Sequence, residues 1–339
     1  MVNRKQSTST RAHILTILRS SELPVSGESM AASLSVSRVA VWKAIKALVD
    51  AGYGITASAT GYTLTDDIPD CLEPWEFGQD ESLIAYFPET DSTMNRARDA
   101  ALAACPDGFV VIADAQTSGR GTGGKRWDSV PGGLFFTMIT RPRLESPWAH
   151  RQVLAAQCAL VRAIRAVSGA VVFPRWPNDL FAVTDSGSGK VGGILCEALI
   201  SGNRAEYLNV GIGINTGSGS PARGYATVDL GRKALLEAFR REFTPTRYAA
   251  ESLVSEWNAL CPEVNREIAF TLKAAPYESP ETKHPEMTGI FRGVDVRGYA
   301  LIETSYGTHY GIDSAVERDT QVECYAPGEL SMVYKGRKA

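Results

Sequence analysis

The chain contains no apolar run approaching the roughly 18 residues that a membrane-spanning helix needs, so no transmembrane helix and no membrane partner are expected. Its first residues, Met1-Val2-Asn3-Arg4-Lys5-Gln6-Ser7, are polar and lead into no hydrophobic stretch, which argues against a secretory signal and for a cytoplasmic location. Cysteine is scarce and scattered: six thiols (Cys71, Cys105, Cys158, Cys196, Cys261, Cys324) include no C-x-x-C pair. A disulfide framework or a structural zinc site would show closer clustering, so all six are expected to be free. The four histidines (His13, His150, His284, His309) are equally dispersed, and no protein-bound transition metal is expected. No internal repeat is visible. What remains is ordinary soluble composition, 44% hydrophobic and 22% charged, in 339 residues. That length exceeds one compact core and suits two or three domains.

Charge is unevenly spread. Residues 1–65 hold seven Lys/Arg against three acids, whereas the whole chain carries a net charge of −3. A basic head on an acidic body is the asymmetry expected where only the head meets nucleic acid. The head reads as three short helices and a hairpin. His13–Leu18 has helical apolar spacing; Ser26 is a candidate cap for a helix from Glu28 to Leu34; Ser37 caps a stronger helix from Arg38 to about Ala51. Val41, Ile45, Leu48 and Val49 make the apolar stripe of that third helix, with Arg38, Lys43 and Lys46 off it. Gly52 ends the helix, and Tyr53–Thr56 and Gly61–Leu64 alternate like two strands. Helices followed by a hairpin, with a basic third helix, describe a winged helix-turn-helix whose third helix can enter a major groove. Ser37, Arg38, Lys43 and Lys46 are its candidate DNA contacts. The competing reading is a small packing domain with solvated lysines.

Asp66-Asp67-Ile68-Pro69-Asp70 begins an acidic, proline-broken linker over 66–80. A mixed α/β region follows over 81–270. Its helical stretches are Met94–Ala104, Ala149–Ser168, Arg232–Glu242 and Arg247–Leu260; its strand-like runs are Phe109–Ala113, Leu134–Thr140, Gly192–Leu199 and Tyr207–Ile214. Residues 271–287 are rich in Pro and charge and read as an exposed loop, and 288–339 alternate as a small β-barrel-like domain does.

Chemistry concentrates in four places. The densest is Gln116-Thr117-Ser118-Gly119-Arg120-Gly121-Thr122-Gly123-Gly124-Lys125-Arg126-Trp127. Its glycines let backbone N–H groups approach an anion that Arg120 and Lys125 would neutralise. A Walker P-loop is excluded, because Arg126 stands where Ser or Thr must follow the lysine. Arg175-Trp176-Pro177-Asn178-Asp179-Leu180 is a turn with an aromatic anchor. In Lys190-Val191-Gly192-Gly193-Ile194-Leu195 a lysine leads directly into an apolar strand and can point a charge into a pocket. Gly211-Ile212-Gly213-Ile214-Asn215 is a strand end where glycines allow close approach; it lacks the third glycine of a dinucleotide fingerprint.

In order, together with Asp91-Ser92-Thr93 and Asn95, these motifs resemble the biotin–protein ligases, specifically the bifunctional ligase/biotin-operon repressor kind with an N-terminal winged helix. The resemblance runs from Ser37-Arg38-Val39-Ala40-Val41-Trp42-Lys43 to Gly289–Asp295, nearly the whole chain. It implies an α+β protein: the winged head, a mixed α/β catalytic domain like the class II synthetases, and a small SH3-like C-terminal β domain. It further implies ATP and biotin as substrates with Mg2+, a biotin carboxyl carrier protein as acceptor, operator DNA as a partner, and a homodimer when the adenylate is bound. By the resemblance Lys190 and Arg120 are catalytic. Ser92, Thr93, Gln116, Arg120, Gly121, Lys190 and Gly192 would hold biotin. Gly119, Arg120, Thr122, Lys125, Trp127, Asn178, Asp179, Lys190, Gly211 and Asn215 would hold ATP and the adenylate. No metal ligand is assigned, although Asp179 could orient a cation. On spacing alone Ser92-Thr93 reads equally well as the N-cap of the Met94 helix.

Three features depart from the family's pattern. Thr122 occupies a place where a second arginine is common, Phe181–Gly189 is longer and more flexible than expected of its hairpin, and Thr216–Arg223 offers no aromatic to cover adenine. Together they suggest a looser hold on the adenylate. The rival functions are a lipoate–protein ligase, a biotin-sensing repressor without ligase activity, and a ligase whose head no longer binds DNA.

Overall fold

A computed structural model describes residues 8–65, 70–129, 132–142, 150–184, 187–217, 225–244, 252–274, 284–307 and 318–333. The head is built as its sequence dictates. Helices α1 (Thr10–Arg19), α2 (Gly27–Leu34) and α3 (Arg38–Asp50) begin at Ser9, Ser26 and Ser37, whose hydroxyls accept backbone N–H bonds from Ala12, Ser29 and Ala40. The wing pairs β1 (Ile55–Ser58) with β2 (Gly61–Leu64), Ile55 opposite Leu64. Ile14, Leu15, Met30, Val41, Ile45 and Leu48 form the head's own core. Val49, expected in the stripe, is instead 45% exposed, and Ala44 takes the inward position.

The central sheet has seven strands in the order β3-β4-β5-β9-β8-β7-β6. These are β3 (Ile84–Thr90), β4 (Val110–Gln116), β5 (Leu134–Thr140), β6 (Val172–Arg175), β7 (Asp179–Thr184), β8 (Gly187–Ser201) and β9 (Arg204–Ile214). Only β3 and β4 run parallel; the other neighbours are antiparallel. Helix α5 (Arg151–Ser168) and helix α6 (Arg232–Glu242) cover one face, where Phe136 meets Phe239 edge-on at 5.4 Å. Helix α4 (Thr93–Leu102) covers the other, where Ala97 and Ala101 pack on Val111 and Ile139. With both faces covered, β4 reads as the continuous apolar run Val110-Val111-Ile112-Ala113, every residue buried.

Several expected boundaries differ. Within the expected linker, Leu72, Trp75 and Phe77 are buried, and a 3-10 segment, Pro74–Leu83, packs between head and body; residues 66–69 lie outside the described residues. Glu76 gathers Arg19 and Tyr53 of the head and Lys233 of α6, the two cations at 2.7 and 2.9 Å. Burial alone would raise the Glu76 carboxyl, but the hydrogen bonds from Arg19, Tyr53 and Lys233 outweigh it and hold it below its ordinary value. The C-terminal five-stranded sheet, β13-β12-β11-β10-β14, already begins at β10 (Arg266–Leu272), which pairs with β11 (Met287–Val294) and β14 (Leu330–Val333); β12 (Ala300–Gly307) and β13 (Arg318–Tyr325) complete it. That sheet therefore starts inside the region expected to belong to the central domain, while 275–283 of the expected loop lie outside the described residues. The expected Arg247–Leu260 helix is described as α7 (Leu253–Leu260), its earlier part lying outside the described residues. Phe181–Gly189, expected to be flexible, contributes to paired strands with Thr184 opposite Gly187; residues 185 and 186 lie outside the described residues. All six cysteines are free, and burial pushes the Cys158 and Cys196 thiols up to about 12.

Candidate functional site

A cavity of about 570 Å³ opens on the α4 face of the central sheet. Its polar end starts at the β3–α4 turn. Ser92, fully buried, caps α4 by accepting the Met94 N–H at 3.3 Å and also lines the cavity, so the structural and binding readings of this serine coexist. The Gln116 carbonyl oxygen accepts from the Thr93 N–H at 2.8 Å, and its amide donates to Ser129 Oγ at 3.0 Å. Thr137 donates to Thr93 Oγ1 at 2.9 Å, which leaves this end a fixed set of neutral polar groups.

The glycine-rich stretch folds back on itself. Trp127 donates its N–H to Gly119 O at 2.9 Å, and Gly121 to Lys125 O at 2.7 Å. A Cβ at Gly119 would lie 2.5 Å from Trp127 O, and Gly123 and Gly124 have φ of +65° and +75°. Two kinds of demand, close backbone approach and left-handed turns, therefore account for glycines here. Arg120 is held at 2.5 Å by Glu197 of β8, which also binds Arg98 at 2.9 Å. Asn95 accepts from Arg120 at 3.4 Å and donates to Asp91 at 2.7 Å, and this second bond, with the Ser92 N–H, lowers the Asp91 carboxyl to about 2.

Opposite the loop stands Lys190. Its Nζ lies 2.7 Å from Asp179 Oδ1 and 5.4 Å from the centre of the Trp127 ring. A β-bulge aims it there. Leu180 pairs with Gly192 but Phe181 with Lys190, so Val191 is the extra residue. Val191 turns into the core, fully buried, and the side-chain alternation changes phase, which brings Lys190 to the face shared with Gly193. Gly213 lets Trp127 lie flat on the sheet: a Cβ there would meet the indole at 2.5 Å. At Gly211 a Cβ would meet Met94 Sδ at 2.5 Å. The close approach that these glycines permit is thus made first by the protein's own side chains.

Of the residues singled out in the sequence, Ser92, Thr93, Gln116, Arg120, Gly121, Thr122, Lys125, Trp127, Asn178, Lys190, Gly211 and Asn215 share this cavity. Asp179 reaches it through Lys190. Two do not join it. Gly119 lines an adjoining hollow between the loop and Leu195 and Glu197 of β8, and Gly192 faces the core, where a Cβ would meet Ile214 Cδ1 at 2.4 Å; Gly193 takes its place in the wall. Sequence reasoning missed Met94, Gly193 and Tyr225, of which Tyr225 supplies an aromatic at the rim just beyond the segment searched for one, whereas Gly213, one of the glycines of the Gly211–Asn215 strand end, lines the cavity. Residues 218–224 lie outside the described residues.

Residues 86–215, which hold most of this cavity, match the Biotin/lipoate A/B protein ligase family. The chain is 33% identical over 199 residues to the bifunctional ligase/repressor BirA of Bacillus subtilis, a match spanning 56% of this chain and 60% of that protein. It is 28% identical over 296 residues to the BirA of Escherichia coli, spanning 82% and 88%. The structure of biotin protein ligase from Aquifex aeolicus in complex with biotin and ATP superposes with a TM-score of 0.54 at 22% identity, covering 74% of this chain and 99% of that one, a likeness of fold.

Residues 10–63, preceding the ligase-family stretch, match an HTH domain family. Its third helix presents Arg38, Lys43 and Lys46 to solvent, and among the described residues none of the three is paired with a carboxylate. Ser37 spends its hydroxyl on the cap. Two apolar residues share the open face, Val39 (60% exposed) and Trp42 (54% exposed), with Lys46 Nζ 5.8 Å from the Trp42 ring.

Proposed function

We propose that this chain is a biotin–protein ligase whose winged head binds DNA. The observation that carries the ligase reading is the pairing, in one cavity, of a neutral polar end (Ser92, Thr93, Gln116) with a cationic end (Arg120, Lys125, Lys190). Such a site accepts an uncharged hydrogen-bonding ring at one end and gathers anions at the other. A carboxylate of biotin attacks the α-phosphorus of ATP, the C–O–P link forms, the α–β anhydride breaks and pyrophosphate leaves. The acceptor lysine amine then attacks the acyl carbon, loses a proton, and AMP departs. Both steps gather negative charge on oxygens, and fixed cations aimed at those oxygens lower the barrier. Lys190 stands where carboxylate and α-phosphate would meet; Arg120 and Lys125 flank them; Trp127 and Tyr225 offer ring faces for the base.

Mg2+ would travel on the phosphates of ATP and offset their charge, with Asp179 as the candidate protein ligand. No group of three or more metal-ligating side chains is found among the described residues. The acceptor would be a biotin carboxyl carrier protein. Operator DNA would meet the Arg38–Lys46 face, and a homodimer formed with the adenylate would span two half-sites. No helix among the described residues is long and apolar enough to cross a membrane. The test is transfer: purified chain, ATP, Mg2+ and biotin should label a carrier domain on its lysine, detected with streptavidin. A carrier left unlabelled, or labelled only by lipoate, would overturn the reading.

A further inference from the structure

Gln157 lies in the middle of α5 and is fully buried, on a helix whose neighbours at that depth are Ala156, Cys158 and Leu160. Burying an amide in such company is costly unless each of its hydrogen-bonding groups is used. Here they are. The two hydrogens of Nε2 go to the carbonyl oxygens of Arg175 at 3.1 Å and Asp179 at 2.9 Å, and Oε1 accepts the indole N–H of Trp257 at 2.7 Å.

The two carbonyls are those that flank the Trp176-Pro177-Asn178 turn, since Arg175 and Asp179 are the last paired residues of the β6–β7 hairpin. Gln157 therefore closes the mouth of the turn from one side. On the other side Asn178 is tied to β8 by two bonds with Ile194, at 2.8 and 2.9 Å. The carboxylate of Asp179, whose backbone carbonyl Gln157 holds, reaches Lys190 Nζ at 2.7 Å.

We infer that Gln157 is a positioning residue: it fixes the backbone of Asp179, and through that carboxylate the place of the Lys190 charge, while Trp257 of α7 anchors it. This rests on the ligase reading above and adds to it a residue in the hydrophobic layer that touches no substrate. Because the polar end of the cavity is built from other elements (β3, α4 and β4), disturbing Gln157 should spare biotin binding and slow the chemistry. Displacing a reacting group by about 1 Å can cost on the order of 100-fold.

The experiment is biotin-dependent ATP–pyrophosphate exchange by the full chain, with Gln157→Met, Asp179→Asn and the double variant. Methionine keeps the volume and removes the three hydrogen bonds. Exchange kcat should fall on the order of 10- to 100-fold in Gln157→Met with the biotin KM within about twofold. In the Asp179→Asn background the same substitution should cost little more, because its route is already broken. Trp257→Phe, which keeps an aromatic ring and frees Oε1, should show the same kcat-against-KM pattern at several-fold size, and serves if Gln157→Met fails to fold. An unchanged kcat, a loss shared equally by KM, or full additivity with Asp179→Asn would overturn the inference. Absence of exchange in the unsubstituted chain would instead discard the ligase reading on which it stands.

Discussion

Two cations of the cavity, Arg120 and Lys190, are dressed differently from the three on the open face of α3. Arg120 and Lys190 are each held by an acid, Glu197 at 2.5 Å and Asp179 at 2.7 Å, with 40% of the Arg120 side chain and 23% of the Lys190 side chain open to solvent. Arg38, Lys43 and Lys46 stand exposed on α3, with no carboxylate partner among the described residues. A tethered cation loses little freedom when a small anion arrives and acts at one fixed point, as stabilisation of a reacting oxygen requires. A free cation can follow a long polyanion, and its contribution comes from displaced counterions and fades with salt. On the proposed reading the same residue types would serve two anions of different shape, and at Arg120 and Lys190 the distinguishing mark is the acid beside them; Lys125 of the loop is exposed and has no carboxylate partner among the described residues.

The comparison breaks most sharply at Lys190. Lys190→Ala should reduce adenylation on the order of 10²–10³-fold, measured as pyrophosphate exchange, with DNA affinity at fixed dimer content unchanged. On the other side, alanine at Arg38, Lys43 and Lys46 together should leave exchange intact. It should flatten the salt dependence of binding to a promoter duplex by about 0.9 in log–log slope for each phosphate that is no longer neutralised. A salt slope that does not move would show these three cations to be merely solvated.

The junction between the two regions is smaller in effect and readable by pH. Glu76 has its carboxyl held below the ordinary value of 4.5 in the folded chain. Its contribution to stability is therefore complete above that value and is lost as pH falls through the lower, folded one. Glu76→Gln should lower stability by about 1–3 kcal/mol at neutral pH and flatten the acid limb of thermal unfolding below pH 4.5. Smallest is Glu197→Gln. It leaves the Arg120 charge but loosens its tether, an ion pair part-open to water. We expect about 0.2–1 kcal/mol, seen as a less than roughly fivefold rise in biotin KM.

Much of this is legible in the sequence. The serine caps at 26 and 37, the span of α6 and the strand Leu134–Thr140 follow from local chemistry that nothing distant overrides. Most of the candidate site residues do share one cavity, because motifs that carry glycine, cation and aromatic together are constrained by their own backbone. What stays hidden depends on neighbours far along the chain. Strand β3 carries Pro88, which argues against a strand until it is seen to be the edge of the sheet. Whether Gly192 or Gly193 faces the cavity turns on the bulge at Val191, which strict alternation cannot reveal. The acid partner of Arg120 lies on β8, and the amide that clamps the Asp179 turn lies on a helix that reads as plain apolar filling.

The central claim, that one cavity activates biotin with ATP, is met most directly by pyrophosphate exchange with biotin and with lipoate, on the unsubstituted chain and on Lys190→Ala. Exchange that requires biotin and collapses in the variant is the predicted result. Exchange with lipoate alone, or exchange that survives the loss of Lys190, would contradict it.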